Sequence, residues 1–101
     1  MKEHRFVDEI YDDLDTTMAW LDEKLAGLGD EFEFEFFATV DAAKSRPESF
    51  PINHTGYRTI PLKRFSAVTY FAIEQDIVVI VGVLMGGRSE SNLKGRGITN
   101  R

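Results

Sequence analysis

The chain has 101 residues, with twelve Lys or Arg against seventeen Asp or Glu, a net charge of −5 and no cysteine. That is the length of one domain with one hydrophobic core, and the missing cysteine excludes a disulfide scaffold, a thiolate metal site and a cysteine nucleophile. The acidic total opposes tight unaided binding of nucleic acid, whose affinity comes from neutralising phosphates.

His4-Arg5-Phe6 reads as a short first strand. From Val7 the apolar side chains recur at 7, 10, 11, 14, 18, 21 and 25, the stripe of an amphipathic helix. Its outer face is acidic, with Asp8, Glu9, Asp12, Asp13, Asp15, Asp22 and Glu23. Acids near the start complement the helix dipole, and Gly27 or Gly29 is expected to end the helix. Eight charged side chains in the first twenty residues leave no apolar signal segment. The longest strongly apolar run, Ile77 to Met85, has nine residues. A membrane span needs roughly 20. A cytoplasmic protein without a membrane partner is expected.

Glu31 to Phe36 reads EFEFEF, an alternation that alone would predict a strand. Leu28, Phe32, Phe36, Val40 and Ala43 keep a helical period over a longer window, which favours a second helix. Asp30 is placed to cap its start and Pro47 to stop it. Phe34 then points away from the core stripe and Phe37 lies on its flank. Exposed aromatics mark a partner surface, unless Phe34 folds back against the first helix or a loop.

Residues 46–56 (RPESFPINHTG) read as a loop. Tyr57 to Leu62 and Phe65 to Ile73 read as strands, Glu74-Gln75-Asp76 as a turn, and Ile77 to Met85 as a central strand covered on both faces. The expected fold is α+β: an N-terminal helical hairpin packed on a C-terminal antiparallel sheet of three to four strands. Residues 1–90 form the single domain, and the Gly-, Ser- and Asn-rich residues 91–101 form a flexible tail.

Residues 1–50 carry five basic and fourteen acidic side chains, and residues 51–101 carry seven and three. Arg58, Lys63, Arg64 and Arg88 gather at the margins of the expected sheet and are candidate contacts for phosphate or for a macromolecular target. Lys63 and Arg64, as neighbours on a strand, would point to opposite faces. Gly86-Gly87 before Arg88 either form a small anion nest or simply end the strand. His54, in the loop before the sheet, is a general base by residue type; an exposed loop histidine without a role is the plainer reading. No His or carboxylate grouping has metal-ligand spacing, so neither a metal nor a cofactor is expected.

Several short segments share one further likeness. They are Trp20-Leu21-Asp22-Glu23, Gly27-Leu28-Gly29-Asp30, Phe32, Pro47-Glu48-Ser49-Phe50-Pro51, Tyr57-Arg58, Leu62-Lys63-Arg64-Phe65, Tyr70-Phe71, Asp76-Ile77-Val78-Val79-Ile80 and Arg88. In this order and spacing, over roughly residues 4–90, the chain resembles the RelE/ParE toxins of bacterial toxin–antitoxin modules. The resemblance implies a small cytoplasmic toxin neutralised by a cognate antitoxin, with Phe34 and Phe37 as candidate antitoxin contacts; it leaves room for a homodimer. It also implies one of two targets: DNA gyrase for ParE-like proteins, or mRNA on the ribosome for RelE-like endoribonucleases.

RNA cleavage through the 2′-hydroxyl needs a base, an acid and cations around the phosphorane. Where the family often has an Arg after the aromatic pair, this chain has Ala72. Where the last strand often ends Leu-His, it ends Leu84-Met85. No Tyr follows Tyr70. The ParE-like branch is therefore expected, with the mRNA endoribonuclease and an inactive antitoxin-binding relative as alternatives.

Overall fold

The structure, a computed structural model, describes residues 2–86 and 89–96. Arg88, one of the four candidate cations, lies outside the described residues, as does the end of the chain from residue 97.

The elements run β1 (His4–Phe6), α1 (Glu9–Lys24), α2 (Leu28–Ser45), β2 (Arg58–Pro61), β3 (Ala67–Glu74) and β4 (Ile77–Met85), with short 3₁₀ turns at Pro47–Ser49 and Glu90–Leu93. The fold is α+β, a helical hairpin on a four-stranded sheet of order β1-β4-β3-β2. The three later strands are antiparallel as expected. β1 adds beside β4 in parallel, with Phe6 opposite Ile80, so the sheet is mixed. No helix among the described residues is long and apolar enough to cross a membrane.

The EFEFEF segment is helical. Phe32, Phe36, Val40 and Ala43 are buried, which is the 3.6-residue period prevailing over the two-residue one. The hairpin's connection differs from expectation. α1 ends at Lys24 with Leu25 extended. Gly27, at φ 91°, then swings the chain into α2, so it opens the second helix rather than closing the first. Asp30 does not cap α2 but sits in its first turn. The cap comes from the neighbouring helix: Asp22 Oδ1 accepts the Gly29 N–H at 2.8 Å. A Cβ on Gly29 would lie 2.7 Å from the Met18 carbonyl oxygen, so the two helices meet where only glycine fits.

The hairpin covers one face of the sheet through Ile10, Leu14, Leu21, Phe32, Phe36, Phe71 and Ile80. The opposite face is a smaller cluster of Val7, Tyr70, Val79, Val81, Leu84 and Leu93. A bulge shifts the alternation between the two faces. Tyr70 faces Gly82 while Phe71 faces Ile80, so Val81 is an extra residue. Val78 and Ile80 point to the helices before it and Val83 after it. β4 thus buries its apolar run on both faces, as expected of a central strand.

The segment read as tail is partly built into the body. Leu93 is buried in the second cluster. Arg96 forms a buried ion pair with Asp13, its Nη1 2.7 Å from Oδ2. Asp13 is therefore not on the solvent face with the other α1 acids. β1 leaves β4 after Phe6, and this pair replaces it: Asp13 Oδ2 accepts the Val83 N–H and Arg96 Nη1 donates to the Val81 carbonyl. Edge groups that would otherwise lack partners are satisfied in this way.

Candidate functional site

On the face of the sheet away from the helices, three polar side chains converge. Tyr70, on β3, donates its hydroxyl to Glu90 Oε2 at 2.5 Å. His54, in the loop before β2, lies with Nε2 2.5 Å from Glu90 Oε1. Facing a carboxylate, Nε2 carries the hydrogen, which in the neutral ring makes Nδ1 the acceptor. Glu90 bridges the two because Ser89 opens its 3₁₀ turn, the Ser89 hydroxyl accepting the Ser91 N–H, and because Leu93 anchors the turn in the sheet. On the other side, Asn53 accepts the Thr55 N–H at 2.9 Å and shapes the loop that carries His54.

The electrostatics follow from these bonds. Hydrogen bonds from Tyr70 and then His54 and Asn53 hold the Glu90 carboxyl below its ordinary range, against a smaller opposing effect of burial. Burial first, and the Glu90 carboxylate second, push the Tyr70 phenol up. The group borders an open cleft of 740 Å³ whose walls include Thr55, Ser91 and Lys94. A second cleft of 460 Å³ opens on the other side of Glu90, between Val68, Leu84 and the loop before β3. With the ring neutral, the arrangement can position His54 Nδ1 as a base beside hydroxyls and the Lys94 ammonium group.

The three candidate cations among the described residues, Arg58, Lys63 and Arg64, are not gathered there. Arg58 donates to the carbonyls of Phe50 at 2.7 Å and Glu48 at 3.4 Å, tying down the loop ahead of β2. Lys63 and Arg64 lie in the β2–β3 loop rather than on a strand, so the expectation of opposite faces does not apply. Arg64 pairs with Glu35 at 2.7 Å and with Glu31 at 2.9 Å. Glu35 also accepts the backbone N–H groups of Lys63 and Arg64. Although partial burial works against it, this set of hydrogen bonds keeps the Glu35 carboxyl below its ordinary range.

The two candidate aromatics part company. Phe37 packs its ring on Phe36 and Phe6, with centroids 5.1 and 6.1 Å away, and remains 42% exposed. Phe34 is 78% exposed and stands at one end of a groove of 360 Å³ between α2 and β2. Tyr11, Trp20 and Leu25 are exposed as well. Five of the six large exposed hydrophobic side chains among the described residues therefore belong to the helical hairpin.

No family model matches the chain, and no curated protein matches it significantly. Its function has to be argued from its own residues.

Sequence reasoning weighed His54 alone and missed its partner. Glu90 lies 36 residues further on, at the last position of the expected domain and next to the expected tail. The usable signal was Leu93, an apolar side chain three residues after Glu90 and three before Arg96.

Proposed function

We propose that this protein is the toxin of a type II toxin–antitoxin pair, of the ParE-like kind, acting by docking on DNA gyrase and silenced by a cognate antitoxin. The order of elements fits the resemblance read from the sequence. The observation that carries the choice of branch is the fate of Arg58 and Arg64. Both guanidinium groups are already engaged within the chain, one by carbonyls and one by two carboxylates. A phosphodiester would have to compete with these partners, whereas a protein partner needs only the apolar surface of the hairpin. Purified protein is expected to inhibit supercoiling by gyrase; undiminished supercoiling at stoichiometric excess removes gyrase as the target.

One observation favours a second reading, the ribosome-dependent mRNA endoribonuclease. Glu90 orients His54 so that Nδ1 is free to take the proton of a 2′-hydroxyl, and Lys94 borders the same cleft. In a translating extract this reading predicts new 5′ ends on mRNA that disappear with His54→Ala and with Arg88→Ala. The third possibility, an inactive relative that still binds antitoxin, predicts normal growth when the chain is induced alone.

A further inference from the structure

Glu90 fills a site that other parts of the chain build. The Tyr70 hydroxyl comes from β3 and His54 Nε2 from the loop before β2, and each donates to one oxygen of the Glu90 carboxylate at 2.5 Å. The carboxylate itself arrives from a separate segment, the short 3₁₀ turn after β4. Neither donor has another hydrogen-bond partner among the described residues. Tyr70 is only 4% exposed, so its hydroxyl needs an acceptor at this place.

The carboxylate stands at a waist between two clefts, since Glu90 borders both the 740 Å³ and the 460 Å³ one. Phe65, Val68, Leu84 and Met85 wall the smaller cleft, and Glu90 is the only charged residue among the described residues that line it.

These walls give the occupant a chemistry. Among the described residues, Lys94 is the one Lys or Arg that borders either cleft. A polyanion binds through several cations at once, and here it meets one, on a chain of net charge −5. A single carboxylate on an apolar body matches what is present: two hydrogen-bond donors at the waist and carbon beside them.

We infer that Glu90 is the internal occupant of a ligand site, and that Tyr70 and His54 can take in its place the carboxylate of a small apolar acid whose body lies in the cleft beside Phe65, Val68 and Leu84. The Glu90 side chain is 30% exposed, so it can turn out into solvent while Leu93 and Arg96, both buried, keep the turn on the sheet. Two carboxylates cannot both accept from the same two hydrogens, and like charges repel at this distance, so ligand and Glu90 compete. The inference does not depend on the chain being a toxin.

The test titrates octanoate into the full chain and follows the ring signals of Tyr70 and His54 by NMR. Glu90→Ala, which removes the internal competitor, is expected to bind octanoate saturably and at least about tenfold more tightly than the parent, the scale of a charge-assisted hydrogen-bond contact. Adding Tyr70→Phe to Glu90→Ala should return that gain. Glu90→Gln, which keeps the side chain's length and offers one oxygen instead of two, should rank between the parent and Glu90→Ala, and it decides the matter if circular dichroism shows Glu90→Ala unfolded. Octan-1-ol and inorganic phosphate are titrated as the apolar body without the charge and the charge without the apolar body. A folded variant with no saturable shift, or with octanoate no tighter than in the parent, overturns the inference. So does octanol or phosphate binding as well as octanoate, because the site then does not select an apolar carboxylate.

Discussion

Asp13 and Arg96, 83 positions apart, form a buried two-pronged ion pair, with Nη1–Oδ2 at 2.7 Å and Nη2–Oδ1 at 3.1 Å. The pair joins the first helix to the end of the described chain and completes the free edge of β4. Removing one partner leaves the other charge buried and alone, which costs about 3–5 kcal/mol. Asp13→Ala and Arg96→Ala are each expected to lower the urea midpoint accordingly, and the double variant to cost less than the two together. Additive losses would mean that the two residues act separately.

Gly82 is the position this closure depends on. A Cβ there would meet Leu93 Cδ2 at 2.7 Å, Arg96 Nη1 at 2.9 Å and Asp13 Oδ2 at 3.1 Å. Gly82→Ala should cost about 1–3 kcal/mol through overpacking. It should also make the bond after Lys94 cleavable by trypsin before global unfolding, because Leu93 and Arg96 are displaced first. Unchanged proteolysis would show that the segment tolerates the methyl group.

Much of this architecture was legible in the sequence. Both helices and the three C-terminal strands follow from periodicity, and Pro47 helped decide the EFEFEF segment because it bounds a helical window. Asp13 could have been placed, since it shares the stripe of Ile10, Leu14, Thr17 and Leu21, all buried. Its partner was hidden because composition marks residues 91–101 as tail and says nothing of one leucine and one arginine docking on a sheet. The parallel pairing of β1 was also hidden, since three residues carry no directional signal. The convergence of His54, Tyr70 and Glu90 depends on two loops meeting, which no spacing encodes.

The Tyr70–Glu90 contact predicts two pH limits. Tyr70 has a folded pKa raised above its ordinary 10.0. Its contribution is complete below that value and is lost as pH rises beyond it, because the unfolded chain releases the proton first. Glu90 is lowered from its ordinary 4.5. Its contribution is present above that value and is lost as pH falls below it. Thermal midpoints should therefore decline on both sides of a plateau. Tyr70→Phe should flatten the alkaline side, while Glu90→Gln should soften the acid side without abolishing it, since Glu35 and Asp76 are lowered too. An alkaline decline unchanged in Tyr70→Phe would refute the assignment.

Glu35 is expected to matter for the shape of the β2–β3 loop more than for charge. Its two oxygens collect two backbone N–H groups and the Arg64 side chain. Glu35→Ala leaves those donors to water at an exposed loop, for a loss of about 1–2 kcal/mol. Amide exchange at residues 63 and 64 should accelerate, with little change in the central strand β4. Exchange that rises equally throughout the sheet would show that the loop is not an independent unit.

The exposed aromatics separate binding from folding. Phe34 is so open to solvent that Phe34→Ser should change stability by no more than about 0.5 kcal/mol. Phe37→Ser should cost more, since its ring lies on Phe36 and Phe6. If the hairpin is the docking surface, Phe34→Ser weakens capture by the partner while the unfolding midpoint stays in place. On the proposed reading, the decisive measurement pairs a denaturation curve with growth when the chain is co-expressed with the antitoxin that reading requires. A variant that folds normally and kills despite the antitoxin has lost only the contact. A variant still silenced as well as the parent shows that Phe34 is exposed for no partner at all.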